Sequence, residues 1–388
     1  MNLYILLSPW GFGVLGVLTM NFKTIKIICL LFCLTTFYVA NSQSKFTDNL
    51  SMRLDAHYGF ILPEYSNFNL LINKPSSGFE FSLEKKTTGK TFWEQVYKYP
   101  EFGFSFFFIT LGNKDVLGNE LAIYPYVKTF LIRKKRFQLS NQFGLGAGYA
   151  TKRFDLETNY QQIAIGSKLN VHFNYKLGTQ FKLTNRLLLN AGISFSHFSN
   201  ANMSEPNLGI NLVTGFAGLN YALSEPNKFS TNVIPEHQPK HELALIYAAG
   251  GKHTRALQST VYFTSSLSAE YKFHWKRKFH FGGGLDLFYD SSTKVEMGPD
   301  NPDYKSIYDF RTGFHLSQEF VYDRFSFILQ EGIYVGLVDR VDKSVMYNRA
   351  ILRWKFSERF LISVSMKSHL HILDYPELGF GYYFIKKK

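Results

Sequence analysis

Alternation with a period of two is the feature that most constrains this chain. Residues 51–60 place Met52, Leu54, Ala56, Tyr58 and Phe60 on one face and Arg53, Asp55, His57 and Gly59 on the other. In residues 142–149, Phe143, Leu145, Ala147 and Tyr149 oppose Gln142, Gly144, Gly146 and Gly148. In residues 279–289, Phe279, Phe281, Leu285, Leu287 and Tyr289 oppose His280, Gly282, Gly284 and Asp286. Successive side chains of a strand point to opposite faces, so each segment carries one apolar face and one polar or glycine-rich face. Beyond residue 42 no apolar run is long enough for a membrane-spanning helix. The pattern therefore predicts strands with one side in lipid and the other in a polar lumen. Aromatic residues form 17% of the chain, with 39 Phe and 24 Tyr, which fits such a wall and not a doubly wound enzyme.

Eight strands are expected between about 50 and 224 and eight more between about 240 and 386, with residues 151–171 as a less regular loop. The expected fold is all-β: an antiparallel transmembrane barrel of about 16 strands built from two tandem 8-stranded units. Residues 181–189 align without a gap on 354–362, Pro206-Asn207-Leu208-Gly209 matches Pro376-Glu377-Leu378-Gly379 after a deletion, and Arg133-Lys134-Lys135-Arg136 resembles Lys276-Arg277-Lys278. The first unit is expected at 43–225, a polar linker at 226–239 and the second unit at 240–388. The linker permits one barrel or two. The aromatic last strand, Leu378 to Phe384, favours one continuous barrel. Pairing of 51–60 with 376–386 would mark one barrel, and pairing with 209–223 would mark two.

Residues 1–42 read as an export signal. Lys23 and Lys26 precede an apolar run from Ile27 to Ala40, and Ala40-Asn41-Ser42 predicts cleavage before Gln43, with Met20 as an alternative start. A retained N-terminal membrane helix is the rival reading. Cys29 and Cys33 both lie in this segment, so the exported chain offers no disulfide, thiol nucleophile or thiolate metal site. The formal charge of +13 would suit a nucleic acid, but no nucleic-acid motif accompanies it. Basic turns account for it, as does attraction to anionic lipid head groups. The glycines at 144–148 are explained by strand periodicity, since no helix follows them as a nucleotide loop requires.

The chemistry concentrates in residues 187–211. Leu187, Leu189, Ala191, Ile193 and Phe195 form an apolar face whose next members are His197 and Ser199. In the following strand the apolar face of Val213, Gly215, Ala217, Leu219 and Tyr221 begins with Asn211. With the N-terminus on the periplasmic side, His197, Ser199 and Asn211 cluster on the lipid side near the outer head groups. Interfacial anchoring is the plain explanation for a lone polar residue there. A histidine beside a serine hydroxyl, with a third group to orient the ring, is also the arrangement of nucleophilic catalysis. A lipid-facing nucleophile has lipid esters as its natural substrates.

His197-Phe198-Ser199-Asn200-Ala201, followed by Pro206-Asn207, Gly209-Ile210 and Asn211, resembles the His-x-Ser-Asn region of the lipid A 3-O-deacylase (PagL) and acyloxyacyl hydrolase-like outer-membrane family. The resemblance covers roughly residues 50–224 and is strongest at 186–223. It implies a serine esterase acting on lipid A of lipopolysaccharide in the outer membrane of a Gram-negative bacterium, without metal or cofactor. By resemblance Ser199 is the nucleophile, His197 the base, Asn207 an oxyanion donor and Asn200 a supporting residue. The family's acidic third residue falls on Asn211, and an amide in that place can cost about 10⁴ in rate. Glu205 in the adjoining loop is a possible substitute acid. In the repeat alignment His197 maps to Leu370, Ser199 to Ile372 and Asn211 to Gly381, so the second unit has no equivalent site. His369 and His371 there lack an evident third metal ligand. The alternative function is a non-enzymatic barrel, channel or structural, with a decayed site.

Overall fold

The computed structural model describes residues 47–63, 66–201, 203–225, 228–254, 260–370 and 372–384. The expected export signal and His371 lie outside them. The first eight strands are β1 (Leu50–Leu62), β2 (Ser76–Lys86), β3 (Glu101–Thr110), β4 (Asn119–Arg133), β5 (Phe137–Ala150), β6 (Leu169–Lys182), β7 (Leu187–Ser199) and β8 (Ile210–Ala222). The second eight are β9 (His241–Lys252), β10 (Tyr262–Lys276), β11 (Phe279–Asp290), β12 (Phe310–Tyr322), β13 (Phe325–Tyr334), β14 (Met346–Trp354), β15 (Phe360–His369) and β16 (Ile372–Phe384). Among the described residues no helix is long and apolar enough to cross a membrane.

The strands close two antiparallel barrels, β1–β8 and β9–β16. This corrects the expectation of one continuous barrel. Leu54 of β1 faces Phe81 of β2 on one side and Leu219 of β8 on the other. In the same way Tyr247 of β9 faces Leu267 of β10 and Phe380 of β16. Both edges of β1 are thus used within the first eight strands, and none is left to receive β16. The aromatic last strand seals its own small barrel, which requires the same outward pattern as sealing a large one.

The alternation has the expected sense. Arg53, Asp55 and His57 are buried in the lumen, while Leu54, Tyr58 and Phe60 are exposed on the outer wall. Side chains fill both lumens, as eight strands permit. In the first barrel Arg53 pairs with Glu80 at 2.9 Å and Glu84 at 3.0 Å, Lys128 with Glu84 at 2.8 Å, and Lys176 with Glu80 at 2.7 Å. In the second, Arg353 pairs with Glu270 at 2.9 Å, Lys272 with Glu319 at 2.7 Å and His315 with Asp286 at 2.6 Å. Buried charges persist only when paired and hydrogen-bonded, so these lumens are polar cores and not pores.

One end of each barrel carries short turns (134–136, 183–186, 277–278, 323–324), and the other carries longer loops such as 151–168 and 291–309. In outer-membrane barrels the short turns are periplasmic. The exception is segment 87–100 between β2 and β3, which contains helix α1 (Phe92–Val96). It reaches the second barrel: Tyr97 donates its hydroxyl to the Val321 carbonyl, and Trp93, Tyr97 and Phe102 pack on Tyr322 with ring centroids 5.1–6.2 Å apart. Burial against this surface pushes the Tyr97 hydroxyl up to about 12. The linker joins the same brace, with Phe229 stacked on Tyr99 and the Asn232 side chain donating to Gly89 O at 2.7 Å.

Candidate active site

The end of β7 is fixed from inside. Phe198 is fully buried and belongs to an apolar plug with Phe68, Phe107, Ile165, Ile210 and Leu212 at the long-loop end of the first barrel. Its inward anchorage leaves its neighbours His197 and Ser199 facing outward, both half-buried. His197 is directly opposite Asn211 in the β7–β8 ladder.

The three side chains form one relay. His197 Nδ1 lies 2.7 Å from Asn211 Oδ1, and His197 Nε2 lies 3.2 Å from Ser199 Oγ. A carbonyl oxygen only accepts, so Nδ1 carries the ring proton and Nε2 keeps its lone pair for the serine hydroxyl. This is the tautomer a serine–histidine pair needs. Both ring nitrogens are occupied, so Glu205 is not the third member.

The loop after β7 is organised by the two remaining candidates. Asn200 Oδ1 accepts from the N–H groups of Met203 (3.0 Å) and Ser204 (3.2 Å), and its Nδ2 donates to Ser204 O at 2.7 Å. Its own N–H donates to Asn207 Oδ1 at 2.9 Å. Asn207 is therefore tied by its oxygen, with its Nδ2 donor directed away from Asn200. Loop 151–168 buttresses this turn through Ser204 Oγ to Gly166 O (3.2 Å) and Gly209 N–H to Ala164 O (3.0 Å). The peptide before Pro206 is cis.

Gly209, part of the resembling motif but without an expected role, has one. Its φ is +73°, and a Cβ there would sit 2.9 Å from His197 Cε1 and 3.4 Å from Ser199 Cβ. The backbone closes on the relay only because no side chain intervenes. Burial pushes the Glu205 carboxyl above its usual range, against a bond from the Asn207 backbone and the charge of His253 on the second barrel.

The second barrel keeps none of this. Leu370 has φ +57° in the turn after β15, Ile372 opens β16, and both are exposed. The alignment of Asn211 with Gly381 is corrected by register. Tyr382 lies opposite Phe360 as Tyr221 lies opposite Leu187, so the counterpart of Gly381, which faces Leu361, is Asn220, which faces Leu188. The outer rim row of the first barrel corresponds to Leu370 and Ile372, at the junction of β15 and β16. His369 does gain possible co-ligands: Asp339 and Asp342 lie close by. They do not fit a metal. Asp339 is bonded by Arg311 (2.9 Å) and by the Val341, Asp342 and Ser344 amides, and Lys367 lies 3.3 Å from His369.

Residues 77–220 match the family model described as lipid A 3-O-deacylase (PagL). Residues 241–387 match the model described as the acyloxyacyl hydrolase C-terminal domain. Among solved structures, Neisserial surface protein A is similar at 11% identity, covering 45% of this chain and 97% of that one, with a TM-score of 0.29. An outer membrane channel from Pseudomonas putida F1 is similar at 12% identity over 87% of this chain and 96% of that one, TM-score 0.19. A mutant porin of Rh. blastica is similar at 7% identity over 86% and 100%, TM-score 0.17. No curated relative matches the chain.

Proposed function

The chain belongs to a PagL-like family, and we propose from this that it is an outer-membrane serine esterase that removes an acyl chain from lipid A. The observation that carries the reading is the unbroken Asn211–His197–Ser199 relay on the lipid-facing wall. Ser199 Oγ attacks the ester carbonyl carbon while His197 Nε2 takes its proton. The oxyanion so formed is met by Asn207 and neighbouring backbone amides. As the ester C–O bond breaks, the imidazolium returns the proton to the departing sugar oxygen, leaving an acyl-serine. Water, deprotonated by His197, then releases the fatty acid and restores Ser199.

Asn211 sets the rate. In a serine triad an amide fails chiefly when it selects the wrong histidine tautomer. Here its oxygen faces Nδ1, which supports the productive one, as in Cys–His–Asn hydrolases. What is lost is the carboxylate charge that would stabilise the imidazolium. In this reading the first unit, 43–225, carries the chemistry, 226–239 links, and 240–388 supports it.

The test is mass spectrometry of lipid A from cells without the protein, with it, and with Ser199→Ala. Loss of one acyl chain only in the second sample is expected. Identical acylation in all three would sink the proposal. A non-enzymatic barrel is the second reading, favoured by Asn211. Its channel form is opposed by the filled lumens, and planar-bilayer conductance decides that point.

A further inference from the structure

The formal charge of +13 is distributed unevenly over the two ends. The long-loop end of the second barrel sets Glu296, Asp300, Asp303, Asp309, Asp339 and Asp342 against Lys294, Lys305, Arg340 and Lys343. The short-turn end of the chain carries Arg133 to Arg136 without an acid, then Lys276, Arg277, Lys278, Arg324, Lys355 and Arg359 against Asp323 and Glu358. Within that basic end lies a cavity of about 330 Å³ at the mouth of the second barrel. Three parts of the chain build it: Trp93 from the brace of the first barrel, the linker up to Lys240, and the turns bearing Arg277 and Arg324.

The charges at its floor cancel. Glu319 is held by Lys272 (2.7 Å) and His280 (3.1 Å), and Glu242 by His274 (3.1 Å) and Lys355 (3.2 Å). The charges at its rim do not. Among the described residues no carboxylate is within ion-pairing distance of Lys240, Arg277 or Arg324. Arg277 donates to the Pro235 carbonyl and lies over the Phe92 ring at 5.3 Å, and Arg324 reaches only the Phe356 carbonyl at 3.5 Å. Lys278 beside them sits over Tyr97 at 4.4 Å. Burial, and then Lys98 across the barrel contact, hold its ammonium below the ordinary lysine value. Glu236 and Asp323 line the same cavity without an ion pair among the described residues, so the rim sets the three cations Lys240, Arg277 and Arg324 against two carboxylates and keeps a basic excess.

From this arrangement we infer that the mouth of the second barrel is a phosphate-binding site, with Arg277, Arg324 and Lys240 as its ligands. Guanidinium groups offer paired donors matched to phosphate oxygens. The surroundings favour a phospholipid head group as the source: Trp93 lines the cavity and packs on Tyr322, as does Tyr97, and aromatic residues of this kind collect at the head-group level of a membrane. The short-turn end faces the periplasmic leaflet. A bound phosphate would touch brace, linker and second barrel together.

The experiment uses the full chain in phosphate-free detergent and isothermal titration with three probes: short-chain phosphatidylglycerol, short-chain phosphatidylcholine and inorganic phosphate. Saturable binding of phosphatidylglycerol, weakened about tenfold or more in R277Q/R324Q but not in K134Q/K135Q, is expected. The second pair removes the same charge from the first barrel. Inorganic phosphate binding with that same dependence, and no binding of the lipid, would keep the site and assign it a soluble phosphate. No saturable binding of any probe, or equal weakening by K134Q/K135Q, overturns the inference. Lys240→Gln, at an exposed position, provides the same reading should the double variant fail to fold.

Discussion

The two barrels share strand count, closure and a lumen of paired charges, and differ at one rim. In the first, β7 runs on to Ser199, β8 opens only at Ile210, and Gly209 just before it closes on the relay. In the second, β15 stops at His369 and β16 already opens at Ile372. The scaffold is indifferent to the chemistry. The site depends on strand length at the outer edge and on the loops that the extra length supports. The shared motif shows this well: Gly209 lies in a loop at φ +73°, whereas Gly379 lies within β16 opposite Ser363.

The largest expected effect bears directly on this asymmetry. Ser199→Ala should lower deacylation by a factor on the order of 10⁶, while Leu370→His with Ile372→Ser should give the second barrel no activity. Both are read by acyl release from lipid A in mixed micelles. Activity from the grafted pair would show that residue identity alone makes the site. Next, Asn211→Asp should raise turnover, by up to about 10⁴ if the missing charge is the whole deficit, and Ile372→Asn should change nothing. Unaltered turnover in Asn211→Asp would mean that the amide already suffices.

The lumens should behave alike. Arg53→Leu leaves Glu80 and Glu84 short of a partner, and Arg349→Leu does the same to Asp286. Each should cost about 3–5 kcal/mol in urea unfolding of the liposome-inserted chain. A large cost in one barrel alone would break the parallel between them. The smallest effect is expected at the paired glycines. Gly209→Ala should cost about 1–2 kcal/mol and slow turnover, because its Cβ meets the His197 ring in a left-handed conformation. Gly379→Ala meets the Ser363 hydroxyl, which can rotate aside, and should be milder.

Alternation made the walls and lumens legible, because one residue of slip would exchange every face. It also brought His197, Ser199 and Asn211 to one side of two strands before any distance was known. The barrel count was not legible. Outward-facing patterns are identical whether β16 closes on β9 or β1, and only register decides. The apolar plug around Phe198 was hidden because loop residues such as Phe68 and Ile165 have no period to reveal them. The match of Asn211 to Gly381 failed because the likeness of Pro206–Gly209 to Pro376–Gly379 implies too small a deletion, whereas strand pairing requires a larger shortening at the outer turn.

Under the mechanism proposed above, the outward placement of Ser199 has a kinetic consequence. A catalyst whose reacting atom opens sideways into a leaflet meets its substrate by lateral diffusion. The concentration it responds to is the mole fraction of that lipid among its neighbours, not the amount per litre. Diluting the substrate with inert lipid should therefore slow the protein as a soluble esterase is slowed by added buffer, while changing the volume around the vesicles should leave its rate untouched.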